Sequence, residues 1–263
     1  MSTCIICFQC PSKFERRTAL HVAIESGSDD VIALLLDHGA TTRAPPGCKY
    51  SALECAVVSD NSAACRLLLD RGADANDVNE DGCTSLQIVC ATDGLRNQRC
   101  IIESLLQHGA QPRYYTRHFS CSSPCLTPLV EYLYCTDRYD PDVVALLLRY
   151  GACVNVTKPT HMFKIRDAYG ILGNAGRFRG QDDVLEVLIN AAGKFDTTAI
   201  QADSSLCSHQ KARLLLASCQ PRMLKHLCRL RVRAHVPVPL PDHVNDLPLP
   251  VFIKEFLLFH TKT

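Results

Sequence analysis

The sequence lacks the features that mark membrane and secreted proteins. It contains no run of 18 apolar residues, so no transmembrane helix is expected. Residues 1–7 lack the basic region and the long apolar region of a secretion signal. These absences predict a cytoplasmic protein, with the nucleus as the alternative. The net charge of +1 indicates no particular class of partner.

Motifs of catalysis are also absent. The chain contains no Gly-x-Ser-x-Gly elbow, no Gly-x-x-x-x-Gly-Lys phosphate loop and no His-Glu-x-x-His zinc site. Gly170, Gly173 and Gly176 are three residues apart, which differs from the dinucleotide-binding spacing. We therefore expect neither an enzyme nor a protein that carries a cofactor.

Cysteine, in contrast, is abundant, with 16 in the chain. In a short secreted protein this number would suggest a disulfide framework. Here the cysteines are spread along the chain, and many fall where a helix needs a small buried residue, so core packing in a reducing compartment is favoured. The positions assigned to the core are Cys55, Cys65, Cys90, Cys100 and Cys228.

Two segments have metal-ligand spacing without a full set of ligands. Cys4, Cys7 and Cys10 are spaced like zinc ligands, but a structural zinc needs four and no fourth is evident. Residues 77–82 match the start of a calcium-binding EF-hand loop, whose twelfth position is Ile88 where glutamate is required. We expect no metal, and a hairpin between repeats at residues 77–82.

The first strong pattern that is present is an internal repeat. Residues 18–21 recur as residues 51–54 and 84–87, with a period of 33. A second marker, two leucines followed by a Gly-Ala pair, ends at residues 40, 73, 110 and 152, and a weaker copy ends at Gly193. A 33-residue period with these two markers resembles the ankyrin repeat. The resemblance covers residues 13–195 and implies about five repeats in an all-α solenoid.

Each repeat is predicted to form two short helices. Thr18, Ser51 and Thr84 are placed to cap the first helix with a hydroxyl. The second helix of the first repeat is predicted to bury a stripe of Val31, Leu34 and Leu35. Glycines are expected to end these second helices with a positive φ, at Gly39, Gly72, Gly109 and Gly151. The first helices are expected to bury Leu20, Ala23 and Ile24, then Leu53, Ala56 and Val57, then Leu86, Val89 and Cys90.

Departures from the period locate insertions in the third and fourth repeats. About four residues are added near residues 93–98, six between Gly109 and Thr127, and three near residues 135–141. Insertions in repeat proteins form loops, often on the binding face. The largest one is rich in residue types that are common at interfaces. We expect it to bind a substrate protein or to cover a wider gap between repeats, and its candidate residues are Tyr114, Tyr115, Arg117 and Phe119.

The second strong pattern lies near the C-terminus. Leu224, Cys228 and Val232 are four residues apart and therefore share one helix face with Leu227 beside them. A Leu-Pro-Leu-Pro segment follows at residues 247–250. These two motifs, in this order, resemble the elongin-binding and cullin-binding halves of the SOCS box. Ankyrin repeats followed by a SOCS box resemble the ankyrin repeat and SOCS box family.

That resemblance implies a substrate-recognition subunit of a cullin-RING ubiquitin ligase, acting in protein ubiquitination and intracellular signalling. Its expected partners are elongin C, elongin B, cullin-5, a RING-box protein and an unknown substrate protein. The elongin-binding residues would be Leu224, Leu227, Cys228 and Val232. The cullin-binding residues would be Leu247, Pro248, Leu249, Pro250 and Ile253. Family members place Ser, Thr, Pro or Ala where this chain has Met223.

The resemblance also sets the expected domain boundaries. Residues 1–12 form a cysteine-rich segment, residues 13–195 the ankyrin repeats, residues 196–220 a capping or linker helix region, and residues 221–263 a three-helix SOCS box. The alternative is an ankyrin scaffold that sequesters a protein partner and recruits no ligase.

A basic face accompanies the apolar stripe. Residues 204–241 contain no Asp or Glu, and Arg222, Lys225, Arg229 and Arg233 follow helical spacing opposite the stripe. Such a face can bind nucleic acid or a membrane. We favour a solvated face that meets acidic patches on a protein partner, because the adjoining stripe already has a candidate partner. Neither nucleic acid nor a membrane is expected to bind.

Overall fold

The computed structural model describes residues 17–43, 50–115, 126–136, 139–158, 167–172, 182–220 and 223–259. Within these ranges the chain forms 14 helices and two short strands, which confirms the predicted helical class. It divides into two compact units, with the first boundary after Gln111. No helix in the described ranges has both the length and the hydropathy to cross a membrane.

The first unit contains three pairs of helices, each pair being one repeat. The first helices of the pairs pack side by side, and so do the second helices. The helices are α1 Ala19–Glu25, α2 Asp29–Asp37, α3 Ala52–Val58, α4 Ser62–Asp70, α5 Ser85–Ala91 and α6 Gln98–Gln107.

Hydroxyl caps begin the first helix of each pair, as predicted. Thr18, Ser51 and Thr84 each accept a hydrogen bond from the backbone N–H three residues further on. The side chain of that later residue accepts from the N-cap N–H in return, so two free donors are satisfied at once. The nine apolar positions predicted for these helices are all buried.

The second helices end as predicted, but α2 buries a different face from the predicted one. Gly39, Gly72 and Gly109 have φ of 80°, 86° and 84°, the left-handed conformation that glycine adopts at low cost. In α2 the buried residue is Ile32, whereas Val31 and Leu34 are exposed, so the predicted stripe is wrong. Residues 31–36 of this helix are all apolar, and spacing alone therefore could not select the inward face.

An aspartate in the second repeat holds the insertion of the third. The added residues lie between α5 and α6, where they were predicted. Asp60, which has a φ of 54°, accepts hydrogen bonds from the backbone N–H groups of Arg96 at 2.8 Å and Asn97 at 3.0 Å. This carboxylate satisfies backbone donors that the longer loop leaves outside the helix.

The second unit contains the last repeats and the C-terminal helices. The repeat elements are α7 Pro128–Cys135, α8 Pro141–Tyr150, β1 Val154–Val156, α9 Asp182–Ala191 and β2 Ala192–Phe195. The helices that follow are α10 Thr197–Ala202, α11 Ser208–Cys219, α12 Leu224–His235, α13 Leu240–Asp246 and α14 Val251–Leu257.

The two strands are a local departure from the predicted repeat. β1 and β2 pair in parallel, with Val154 opposite Ala192 and Val156 opposite Phe195. Gly193 therefore lies in a strand and does not end a helix with a positive φ. A Cβ at Gly193 would lie 3.1 Å from Asn155 Oδ1, so glycine here permits close strand contact. Gly151, in contrast, ends α8 with a φ of 119°, as expected.

The five cysteines assigned to the core divide into two groups. Cys55, Cys65 and Cys90 are buried, which confirms their assignment to the core. Cys100 and Cys228 are exposed, so their assignment is wrong. Each lies on an amphipathic helix, at a position where its small size made it compatible with either face.

Candidate functional site

The main candidate site is the outward face of α12. Leu224 is 75% exposed, Leu227 is 48% exposed, and Cys228 is also exposed. Val232 continues the same face one turn further and is 37% exposed. The structure therefore brings together all four residues that the sequence predicted for elongin binding, as one apolar surface open to solvent.

The opposite face of α12 is buried and cationic. Arg229 and Arg233 are only 6% and 5% exposed. The prediction of a solvated basic face is therefore wrong for these two residues. Lys225 and Arg231 are exposed, and Arg222 lies outside the described residues.

Carbonyl groups and aromatic rings accommodate the buried guanidinium groups. Arg233 donates to the carbonyl of Leu257 at 2.6 Å and to the carbonyl of Leu148. These acceptors lie in the last turns of α14 and α8, where helical carbonyls lack an intrahelical donor. Arg229 lies over the rings of Phe256 and Phe259, at 4.6 and 4.0 Å from their centroids.

Burial lowers the pKa of Arg233, but the guanidinium stays protonated at neutral pH. Desolvation, with a smaller contribution from the charge of Arg113, lowers the pKa of this guanidinium to about 10. The sequence could not reveal this arrangement, because the acceptors are backbone carbonyls of distant helices.

The C-terminal helices also touch the fourth repeat closely at Gly151. A Cβ at that position would lie 2.9 Å from Leu240 Cδ1 and 3.0 Å from Val238 Cγ1. Arg113 donates from Nε to the Gly151 carbonyl at 2.8 Å and from Nη2 to the Arg233 carbonyl at 2.6 Å. These contacts fix α12 and α13 against the end of α8.

The predicted cullin-binding residues divide into two groups. Pro248 and Pro250 are exposed. Leu249 and Ile253 are half-buried and pack against the apolar cluster of the C-terminal helices. Leu247 is half-buried as well. The cluster consists of Leu240, Val244, Leu257 and Leu258, with Val236 at its edge.

Two residues that the sequence prediction omitted lie beside this segment. Val251 and Phe252 are 71% and 66% exposed, in the first turn of α14. The signal that could have found them is helical periodicity: Ile253 and Leu257 share the inward face, which turns Val251 and Phe252 outward.

The enlarged loop is described only at its start. Tyr114 and Tyr115 are half-buried, while Arg117 and Phe119 lie outside the described residues. The ring of Tyr115 packs edge to face on Tyr169, with 6.3 Å between centroids. Substrate binding by this loop stays a prediction, and its described part makes packing contacts.

The segments with metal-like spacing have a structural role or lie outside the described residues. At residues 77–82, Asn79 Oδ1 accepts from the Cys83 N–H at 2.9 Å, and Val78 pairs with Thr84, which forms the predicted hairpin. Among the described residues no group of three or more metal-binding side chains occurs. Cys4, Cys7 and Cys10 are outside the described ranges.

Comparison with known families agrees with this architecture. The ankyrin repeat model, three copies, matches residues 4–79. The SOCS box model matches residues 220–258, which include all of α12, α13 and α14.

Known relatives combine the same two parts. Mouse ankyrin repeat and SOCS box protein 16 is 29% identical over 256 residues, covering 92% of this chain and 52% of its own length. Human ankyrin repeat and SOCS box protein 6 is 25% identical over 306 aligned positions, covering 92% of this chain and 73% of its own. The chain thus spans about half the length of the mouse relative. Family models for both parts, ankyrin repeats and a SOCS box, therefore match this chain, and its similar relatives are named for the same combination.

Proposed function

We propose that this protein is the substrate-recognition subunit of a cullin-RING ubiquitin ligase and has no catalytic residues of its own. In this assignment the SOCS box binds elongin B and elongin C, cullin-5 joins at the Leu-Pro-Leu-Pro segment, and a RING-box protein completes the ligase. The ankyrin repeats hold the substrate protein. We place this activity in the cytoplasm.

The exposed stripe of α12 is the observation that carries the proposal. A helix folded for its own stability buries its apolar side chains and leaves its charges in water. In α12 the two arginines are buried while Leu224 and Leu227 remain open. Burying a leucine side chain completely contributes about 1.5–3 kcal/mol, so a partner that covers this stripe gains substantial free energy.

Elongin C is the proposed partner for this stripe because the spacing of its residues is that of the elongin-binding motif. Leu224 enters an apolar pocket, and Cys228 and Val232 pack behind it on the same face. The contacts at Gly151 and Arg233 hold the helix in place before binding, which reduces the conformational entropy that association costs.

The repeats are proposed to bind substrate through the enlarged loop, with Tyr114 and Tyr115 at its described start. Repeat proteins bind through loops on one face of the stack. Arg117 and Phe119 complete the candidate set.

The test is co-purification with elongins B and C after co-expression. The variant Leu224→Ala with Cys228→Ser should lower elongin affinity by about 30-fold or more, since a buried leucine lost to alanine costs about 2 kcal/mol at least. Because both side chains are exposed in the free protein, its thermal stability should stay near the wild-type value.

Leu34→Ala is a matched control. Leu34 is 57% exposed on α2 in the first unit, so the same side chain is truncated from a similar exposure outside the SOCS box. This control should retain elongins at the wild-type level. If the Leu224 and Cys228 variant also retains them, the ligase assignment is wrong and the ankyrin scaffold that sequesters a partner replaces it.

A further inference from the structure

The first repeat exposes three large apolar side chains on its two helices. Val22 on α1 is 56% exposed, and Val31 and Leu34 on α2 are 45% and 57% exposed. Together they form a surface that we call the end face. A group of exposed large apolar side chains marks a contact surface more often than a solvated one.

The same positions are covered in the second repeat. One period of 33 residues further along the chain, the corresponding residues are Cys55, Ala64 and Leu67. Cys55 is 6% exposed, Ala64 is fully buried and Leu67 is half-buried. The Sγ atom of Cys55 lies 4.0 Å from the carbonyl oxygen of His21 and 4.0 Å from Oε1 of Glu25, both in α1. The first repeat therefore covers this face of the second.

The third repeat follows the same rule. Counted from its cap at Thr84 and its glycine at residue 109, the corresponding residues are Ile88, Ile101 and Ser104, and all three are buried. Helix α4 packs on α2, and α6 packs on α4. Each repeat thus buries this face against the repeat before it. Within the described part of the first unit, α1 and α2 alone have no preceding repeat, which leaves their end face exposed.

The sequence directly before α1 has the composition of a covering segment. Residues 4–8, which lie outside the described residues, read Cys-Ile-Ile-Cys-Phe and are all apolar. The ankyrin repeat model, three copies, matches residues 4–79, whereas the two helix pairs α1 to α4 occupy residues 19–70. The match therefore extends repeat-like sequence upstream of the first described helix, on the side where a preceding repeat would lie.

This segment is also long enough to reach the end face. Arg17, the first described residue, donates from Nη1 to Glu25 Oε2 at 2.8 Å, which places the start of the described chain beside α1. Eight residues separate Phe8 from Arg17, and an extended chain of that length spans about 26 Å. Helix α2 has nine residues and is therefore only about 14 Å long.

We propose that residues 4–8 pack on the end face and take the place of a preceding repeat. Ile5, Ile6 and Phe8 cover the two valines and the leucine of that face. The contact closes the apolar end of the stack, so this surface belongs to the core of the first unit and does not bind a substrate protein. The inference concerns the first unit alone and does not depend on the ligase function.

Disulfide trapping in the full chain tests this contact. Val31→Cys keeps a small apolar side chain on the end face, and Cys4, Cys7 and Cys10 supply native partners in or beside the segment. Mild oxidation should join residue 31 to one of these three cysteines of the same chain, as identified by mass spectrometry of peptides. Because a disulfide requires Cα atoms within about 7 Å of each other, the bond reports direct contact.

Arg66→Cys is the matched control, since residue 66 is exposed on the second helix of the next repeat. It should form no detectable disulfide with the same three cysteines. Equal yields from residues 31 and 66, or no bond from residue 31 to the segment, would overturn the inference. A bond between residues 31 of two chains would overturn it as well, and would make the end face a contact between two copies.

Thermal unfolding provides a second, independent measurement. Replacing Ile5, Ile6 and Phe8 by Ser should lower the melting temperature of the full chain by about 3 °C or more, because the variant loses apolar burial. Lys13→Ser with Arg16→Ser, in the same segment, should stay within about 1 °C of wild type. In a Leu34→Ser background the triple replacement should have a smaller effect, since both changes remove one contact. An unchanged melting temperature, or fully additive shifts, would contradict the packing of residues 4–8 on α2.

Discussion

Helix α4 packs through its apolar face, whereas helix α12 packs through its cationic face. In α4 the buried residues are Ala64, Cys65, Leu68 and Leu69. In α12 the buried residues are Arg229 and Arg233, and Leu224 and Leu227 are exposed. Both helices are amphipathic, so the sequence pattern reveals two faces in each. It does not reveal whether the chain itself or a partner covers the apolar one.

The largest expected difference between the two helices is in the cost of losing a leucine. Leu68→Ala, in α4, should lower the free energy of unfolding by about 2–5 kcal/mol, because Leu68 is fully buried. Leu224→Ala, in α12, should change it by no more than about 0.5 kcal/mol. Urea unfolding of both variants measures the two values. Equal losses would mean that the chain covers the α12 stripe, and the contrast between the helices would disappear.

A second prediction concerns a buried charge in the repeats. Burial, with smaller contributions from the charges of Asp77 and Asp81, raises the pKa of Glu54 from 4.5 to about 7. The folded protein therefore holds a proton that the unfolded chain releases between these two values. The contribution of Glu54 to the free energy of unfolding is greatest below pH 4.5 and is lost as the pH rises through about 7.

Glu54→Gln should remove this dependence. The variant should gain stability relative to wild type between pH 4.5 and pH 7 and keep a constant advantage at higher pH, at most about 3 kcal/mol. Gln87 occupies the equivalent position in the capping box one repeat later, so Gln87→Glu is the reciprocal control. This variant should introduce the same loss of stability with rising pH. Thermal unfolding across pH measures both. An unchanged pH profile in Glu54→Gln would show that this carboxyl titrates normally.

The buried charge of the SOCS box should behave differently. With its pKa at about 10, Arg233 stays protonated across the same pH range. Arg233→Met should cost about 1–3 kcal/mol, because the carbonyls of Leu257 and Leu148 lose a buried donor. Arg231→Met, on the exposed face, should be nearly neutral. Chemical unfolding measures the free energy of unfolding of both variants. Similar values would show that the buried hydrogen bonds of Arg233 do not stabilise the fold.

The smallest effect is expected in the enlarged loop. Tyr115→Ala should cost about 0.5–1.5 kcal/mol, since the ring loses its edge-to-face contact with Tyr169. The loss of stability in Tyr114→Ala, at the neighbouring residue, provides the comparison. A specific loss of substrate capture by Tyr115→Ala with unchanged melting temperature would favour a binding role over packing.

The predictable parts of this fold depend on local chemistry. The caps at Thr18, Ser51 and Thr84 and the glycine at residue 109 follow from hydrogen bonds and backbone angles within one turn. The apolar stripe on α12 could be predicted from spacing, although its exposure could not. Two features that the sequence did not predict depend on tertiary context: the burial of Ile32 in α2 and the strand β2 that contains Gly193.

The burial of Arg229 and Arg233 depends on distant groups. Their acceptors include backbone carbonyls in α8, α9 and α14, and no residue pattern marks a carbonyl as available. Leu249 and Ile253 pack against the apolar cluster of the C-terminal helices, while Val251 and Phe252, which the sequence analysis did not name, are exposed.

The most direct test of the central claim, that a partner covers the apolar face of α12, is alkylation of Cys228. Its rate can be followed by mass spectrometry of peptides, with exposed Cys100 and buried Cys65 as references. Burial raises the pKa of Cys65 to about 12, so this thiol should stay unreactive. Free protein should label at Cys228 and Cys100, whereas saturating elongins B and C should slow Cys228 alone by about tenfold or more. Equal labelling of Cys228 with and without elongins would contradict the account.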